Sequence, residues 1–509
     1  MDKDLPHMPS AVTRVSTGVA GLDDILGGGL PEGRIYLVEG TPGAGKTTLA
    51  MQFLLAGREA GERGLYITLS ESEEELRSSA ASHGWSLDGL EIVPLLADAS
   101  LSPDSEQTIL HPSDLELGET SRGVMSQVEA SNPARVVFDS LSEMRLLAQN
   151  PLRYRRQVLM LKQFFAERRC TVLMLDDRTS EPGDLQLHSV AHGVITLEQA
   201  TLEFGSERRH LRVVKLRGAK YRGGYHDMSI ETGGLLVHPR LIAAEHRVDF
   251  DSRAVGTGVT ALDLMLGGGL VPGTNTLLVG PSGIGKSTLA TCAVVAALDR
   301  GEKAAIFLFD EGPCTLLSRS AALGLDLRPH VDAGTLTLRN VDPAELSPGA
   351  FVALIRHSVE VAGASYIVID SLNAYLSSMP GEKFLVLQMH ELLRYLSHQG
   401  VVTLMILGQR GLVGDMRVDL DLSYLADSVL QMRFFEAGGV IRKALLVVKT
   451  RTAGHESTIR EFRVGPQAVF IGQPLSGFRG VMTGTPTWHG DLANLLPDAP
   501  AAPRDGEAD

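Results

Sequence analysis

Two lysines stand 240 positions apart in matching surroundings, Lys46 in GTPGAGKTTLA (residues 40–50) and Lys286 in GPSGIGKSTLA (residues 280–290). The spacing GxxxxGK[ST] is that of a phosphate loop, whose backbone N–H groups turn inward around a β-phosphate that side chains would obstruct. The residues expected to meet a nucleotide are therefore Gly40, Thr41, Gly43, Ala44, Gly45, Lys46, Thr47 and Thr48 in the first copy. Their counterparts in the second are Gly280, Ser282, Gly283, Ile284, Gly285, Lys286, Ser287 and Thr288. Each lysine would neutralise β/γ-phosphate charge, and the hydroxyls of Thr47 and Ser287 would face Mg²⁺. A single match can arise in any glycine-rich turn. Two in register, each between an expected strand and an expected helix, exclude that origin.

Further acids fall where such chemistry needs them. ARVVFDSLSEM ends an apolar run on Asp139, and SYIVIDSLNAY ends one on Asp370. The carboxyl end of a buried strand is where ligands meet an open α/β sheet, so these aspartates are expected to hold the magnesium through water. An acid there can also merely cap the next turn. For the base that deprotonates or orients water, the candidates are Glu71 in ITLSESEEEL and Asp310 with Glu311 in FLFDEGPC. The run of acids after Ser70 also reads as the first turn of a solvated helix, so Glu71 carries both readings.

The elements that must position these groups repeat as well. STGVAGLDDILGGGLPEG (residues 16–33) returns as GTGVTALDLMLGGGLVPG (residues 256–273), again 240 positions on. In each copy a short apolar strand feeds the loop, a helix follows, and Gly61 or Gly301 ends it in a left-handed turn. Strands apolar throughout and alternating with helices predict a mostly parallel sheet covered by helices on both faces. The expected organisation is a flexible N-terminus at 1–12, an α/β domain at 13–243, a linker at 244–254, a second α/β domain at 255–475, and a partly disordered tail at 476–509.

Composition narrows the classes. The chain has 509 residues, more than one core usually supports, which fits a duplication. A net charge of −14 and an aromatic content of only 5% argue against nucleic acid as a partner. No apolar run is long enough to cross a bilayer, and the N-terminus lacks the pattern of a secretory signal. Three scattered cysteines, Cys170, Cys292 and Cys314, form neither a zinc pattern nor a disulfide framework. A cytoplasmic location is expected.

In their combination these motifs resemble the KaiC family, tandem RecA-fold ATPases known from the cyanobacterial circadian clock. The doubled LGGGL lead-in, both phosphate loops and both DS strands carry the likeness, with SHGW (82–85), RVVKLRG (212–218), HESTIREF (455–462) and GVMTGTP (480–486). The resemblance implies two RecA-like P-loop NTPase domains, ATP and Mg²⁺ as ligands, a homohexameric double ring whose assembly depends on ATP, and nucleotide held between neighbouring subunits. It implies a nucleotide contact at Ser82. It also implies that Lys215, Leu216 and Arg217, and Lys449, Thr450 and Arg451, reach the ATP of the neighbouring subunit.

The chain departs from the family at two places. Clock members carry two adjacent glutamates at the water-activating position, where this chain has Ser70–Glu71 and Asp310–Glu311. The family's serine–threonine autophosphorylation pair falls on Ser423 and Tyr424, leaving Ser423 as the one candidate phosphosite. The expected activity is ATP hydrolysis in signalling or timing, with serine/threonine autokinase activity open. A nucleotide-gated scaffold with negligible turnover and a RecA-type DNA-dependent ATPase stand as alternatives.

Overall fold

The computed structural model describes residues 13–95, 112–148, 150–177, 186–201, 205–377, 385–409, 423–437, 439–452, 454–465, 468–483 and 487–488. Contacts divide the chain into two units, Met1–Arg240 and Leu241–Asp509.

Each unit is built on a nine-stranded sheet of the same topology. In the first, the loop strand Ile35–Gly40 lies between Gly193–Ala200 and Thr171–Asp177, parallel to both. Arg135–Asp139, Gly64–Thr68 and Glu91–Pro94 extend the parallel part. Arg208–Leu216, His226–Glu231 and Gly234–His238 add antiparallel strands on the other side. The second unit repeats this around Asn275–Gly280, with Val402–Gly408 and Ser428–Ala437 as its parallel neighbours.

Period-two alternation explains why the strands are apolar throughout. Tyr36 and Val38 join one core, shared with the helix Lys46–Glu59, while Ile35 and Leu37 join another on the opposite face. Leu278 and Ile306 separate from Leu277 and Phe307 in the same way. The sheet is thus covered on both faces, as two tandem RecA-like P-loop domains require. Gly61 and Gly301 follow their helices at φ of 77° and 83°, the left-handed turn read from the sequence.

The segment after Arg240 belongs to the second unit. Leu241 and Ala243 are buried in its core, and the Val248 amide donates to the His398 carbonyl at 3.1 Å. At the far end Leu475 and Val481 pack against Phe435 and Ala437, and Phe478–Arg479 pairs with Thr487–Trp488, so part of the segment after 475 is folded onto the domain. Among the described residues no helix is long and apolar enough to cross a membrane.

Candidate functional site

Both phosphate loops sit where a central strand hands over to a helix. Gly45 and Gly285 are the residues before the lysines, at φ of 101° and 113°, a left-handed conformation that aims the first helical N–H groups into the loop. A Cβ on Gly45 would lie 2.8 Å from Ile230 Cδ1, and one on Gly285 2.9 Å from Phe462 Cε1. The glycines are required both by dihedral angle and by space.

Around the first loop opens a cleft of about 400 Å³ lined by Gly43, Gly45, Lys46, Thr47, Thr48 and Glu71, with Glu75, Ser79 and Ile230. The second cleft, of about 490 Å³, takes in Ser282, Gly283, Gly285, Lys286, Ser287 and Thr288 together with Asp310, Glu311 and Asp370. Gly40, Thr41 and Gly280 contribute backbone carbonyls that accept from the lysines at 2.8–3.0 Å. Ala44 and Ile284 are fully buried beneath the loops.

Register places the strand-end acids beside the bases. Thr68 pairs with Asp139 and Leu308 with Asp370. Glu71 is fixed by Thr68, whose Oγ1 accepts from the Glu71 amide at 2.9 Å and donates to its carbonyl at 3.0 Å. The helix Glu73–Ser82 starts two residues later with a capping box between Ser72 and Glu75. The acid run therefore divides: Glu73, Glu74 and Glu75 form the helical turn, and Glu71, ahead of it, lines the cleft together with Glu75. Burial, then the charges of Asp139 and Glu75, push the Glu71 carboxyl up. Glu311 is held differently, by Arg319 at 2.6 Å, while Asp310 accepts from the Ser371 hydroxyl at 2.6 Å.

The oxygen donors suit a hard divalent ion. Burial raises Asp370, and a hydrogen bond from Ser287 opposes that, so hydroxyl and carboxylate stand together. Burial likewise raises Asp139, whose Oδ2 accepts from the Tyr66 phenol at 2.6 Å, and Thr47 also reaches that phenol. A phenol oxygen bridges Thr47 to Asp139 in the first domain, where Ile306 leaves the second open.

Other expected residues lie elsewhere. Ser82 is one helical turn beyond Ser79 and its hydroxyl donates to the Ser79 carbonyl at 2.7 Å, so it is not among the cleft-lining residues. Leu216 is buried, and Lys215 and Arg217 sit at the end of the sheet opposite the loop, donating to the carbonyls of Ala191 and Ser189 at 2.8 Å. Arg217 helps to line a separate cavity of about 210 Å³ with Arg34, Lys162 and His192. Lys449 donates to the Ala426 carbonyl at 2.9 Å, and Arg451 to that of Tyr424 at 3.2 Å, with Thr450 between them. Ser423 begins a 3₁₀ turn, Ser423–Leu425, and its side chain lies outside the described residues, as do positions 410–422.

Several cleft residues escaped the sequence reading. Arg319 and Ser371 line the second cleft, and in the first domain Asp177 Oδ1 lies 2.7 Å from Lys46 Nζ, with Ser142 bonded to Asp177 in turn. Below that loop, Glu39 accepts from Thr196 at 2.9 Å and meets His188 at 2.9 Å, and Asp176 pairs with Arg145 at 2.7 Å. The acid ending of TVLMLDD was the available signal for Asp176 and Asp177, the same one that marked Asp139. Arg319 offered none, because its meeting with Glu311 depends on how the helix Pro313–Ala322 is placed.

Comparison with known proteins agrees with this geometry. A family model described as "ATPase: KaiC" matches residues 15–242 and again 255–476. A circadian clock protein KaiC3 of Synechocystis is 25% identical over 94% of this chain and 95% of its own. The circadian clock oscillator protein KaiC of Picosynechococcus is 26% identical (94% and 93% covered), and that of Acaryochloris marina 28% (94% and 92%).

Proposed function

The chain belongs to the KaiC family of ATPases, and on that premise we propose that it binds Mg-ATP in both domains, hydrolyses it, and works as an ATP-assembled homohexameric double ring in cytoplasmic signalling or timing. The observation that carries this reading is that each cleft joins a phosphate-loop lysine to a glutamate, with the strand-end Asp370 on the wall of the second and Asp139 paired with Thr68 at the strand end beside the first. Lys46 and Lys286 would grip the β- and γ-phosphates. Thr47 with Asp139, and Ser287 with Asp370, would hold magnesium, which would supply charge neutralisation to the phosphates. Glu71 and Glu311 would take the proton of the attacking water, with Asp310 supporting the second.

Lys215 and Arg217, and Lys449 and Arg451, lie at the far end of their sheets from their own loops, which fits service to a neighbour's γ-phosphate. The clock names of the relatives support a role in timing. Tyr424 is exposed, its phenol too long and rigid to repeat a threonine's part, so the reading extends to at most single-site autophosphorylation, on Ser423.

The test is phosphate release and phosphopeptide mapping after incubation with MgATP. In a chain that already carries Glu71→Gln, adding Glu311→Gln should lower turnover by about 10²–10⁴-fold, as for loss of a general base, with nucleotide affinity within about twofold of the parent. Unchanged turnover in that variant would remove Glu311 from the mechanism. A protein that binds ATP and releases no phosphate would instead be the scaffold.

A further inference from the structure

The two lysines share a role but differ in what holds them. An ammonium has three donors. In the second domain Lys286 spends two, on the carbonyls of Gly280 and Pro281 at 2.8 Å each, and no carboxylate among the described residues lies within ion-pair distance of it. In the first domain Lys46 spends two on the carbonyls of Gly40 and Thr41 at 3.0 Å, and its ammonium also forms an ion pair with Asp177 Oδ1 at 2.7 Å. The third donor is the one a phosphate oxygen needs.

Asp177 is held in place for this. Its Oδ2 accepts from the Ser142 hydroxyl at 3.2 Å, its amide donates back to Ser142 Oγ at 3.2 Å, and Ser142 is hydrogen-bonded to Ser140 at 2.9 Å. Register fixes the correspondence between domains: Asp177 pairs with Gly40, and Gly408 pairs with Gly280. The second domain thus has no side chain where the first has a carboxylate, and Asn373 bonds to the Gly408 backbone instead.

We propose that Asp177 is a positioning residue of the first site that competes with nucleotide phosphate for Lys46, setting a lower nucleotide affinity there than Gly408 allows in the second domain. The proposal rests on the reading of Lys46 as a phosphate ligand. A bound phosphate must displace an ion pair and then share the surroundings of Lys46 with the displaced carboxylate. Both effects oppose binding.

The test titrates a fluorescent ATP analogue with Mg²⁺ into the full chain carrying Lys286→Ala, so that the first site is read alone. Adding Asp177→Asn should tighten binding by roughly five- to tenfold, the scale of one charge-assisted contact. Asp177→Glu, which keeps the charge, should stay within about threefold of the parent. Reciprocally, Gly408→Asp in a Lys46→Ala chain should weaken the second site; a Cβ there stands 3.3 Å from Asn373 Oδ1, so the Asn373 amide must yield by a few tenths of an ångström. A merely structural role for Asp177 predicts weaker binding in both of its variants. Unchanged or weakened binding in Asp177→Asn overturns the proposal, whereas full binding by a chain lacking both Lys46 and Lys286 overturns the reading of the lysines beneath it.

Discussion

Asp176 carries a carboxyl that burial pushes up to about 6, even though Arg145 lies 2.7 Å away and pulls the other way. The cost of removing a carboxylate from water exceeds what one partner returns, particularly with Glu39 and Asp177 close by. The second domain has Val279 and Leu407 at the places of Glu39 and Asp176, so this buried polar pocket is peculiar to the first loop. A folded-state value above the ordinary 3.8 means that the folded protein keeps the proton between about pH 4 and 6 while the unfolded chain loses it. The associated stability is present below pH 4 and lost as pH rises through 6. At 1.36 kcal/mol per unit it amounts to about 3 kcal/mol. Asp176→Asn removes the titration, so the melting temperature of the parent relative to this variant should fall as pH goes from 4 to 7. A difference that stays constant across that range would show that Asp176 is ionised in both states.

At the scale of elements, each loop depends on a residue that can turn left-handed directly before a helix. Gly285 has φ of 113°, and an added methyl would press on Phe462, which is buried. Gly285→Ala should cost about 1–2 kcal/mol from the dihedral alone and should weaken nucleotide binding in the second domain while the first keeps its own. Domain-resolved nucleotide titration checks this. The same elements show what the sequence could reveal. The loops and the acids ending apolar strands were legible because strand, turn and helix act within a dozen residues, and Asp139 and Asp370 stand at the strand ends their runs predicted. Asp177 meets Lys46 only through the pairing of two strands well over a hundred residues apart, and Arg319 meets Glu311 only through helix placement. Tyr66 carries no signal of its own in the sequence, and the register alone brings its phenol to Asp139. Ser82 is the converse case, a residue named by resemblance whose hydroxyl turns back onto its own helix.

For the whole molecule, the argument turns on where the cations are. Neither Lys215 with Arg217 nor Lys449 with Arg451 lines the cleft of its own domain, so among the described lining residues the first cleft offers a γ-phosphate Lys46 as its one cation, and the second adds to Lys286 only Arg319, which is already paired with Glu311. In the proposed double ring a neighbour supplies a further cation, and nucleotide becomes part of the interface. Binding to the assembled form alone then stabilises assembly by RT ln(1 + [L]/Kd), which reaches roughly 2.7 kcal/mol at a hundredfold excess over Kd. The two domains are expected to divide the work. The first domain has Ser70 where the second has Asp310, leaving it the poorer in groups that activate water, while in the proposed ring its nucleotide would still bridge subunits. Lys46→Ala should therefore chiefly loosen the assembly, and Lys286→Ala should chiefly remove turnover. If Asp177 also competes for Lys46, Asp177→Asn should lower the ATP concentration at which the ring forms. Light scattering with and without MgATP, run beside phosphate release on the same samples, reads both properties. A particle that stays monomeric in MgATP would sink the interface reading, and equal loss of hydrolysis from the two lysine variants would contradict the division between rings.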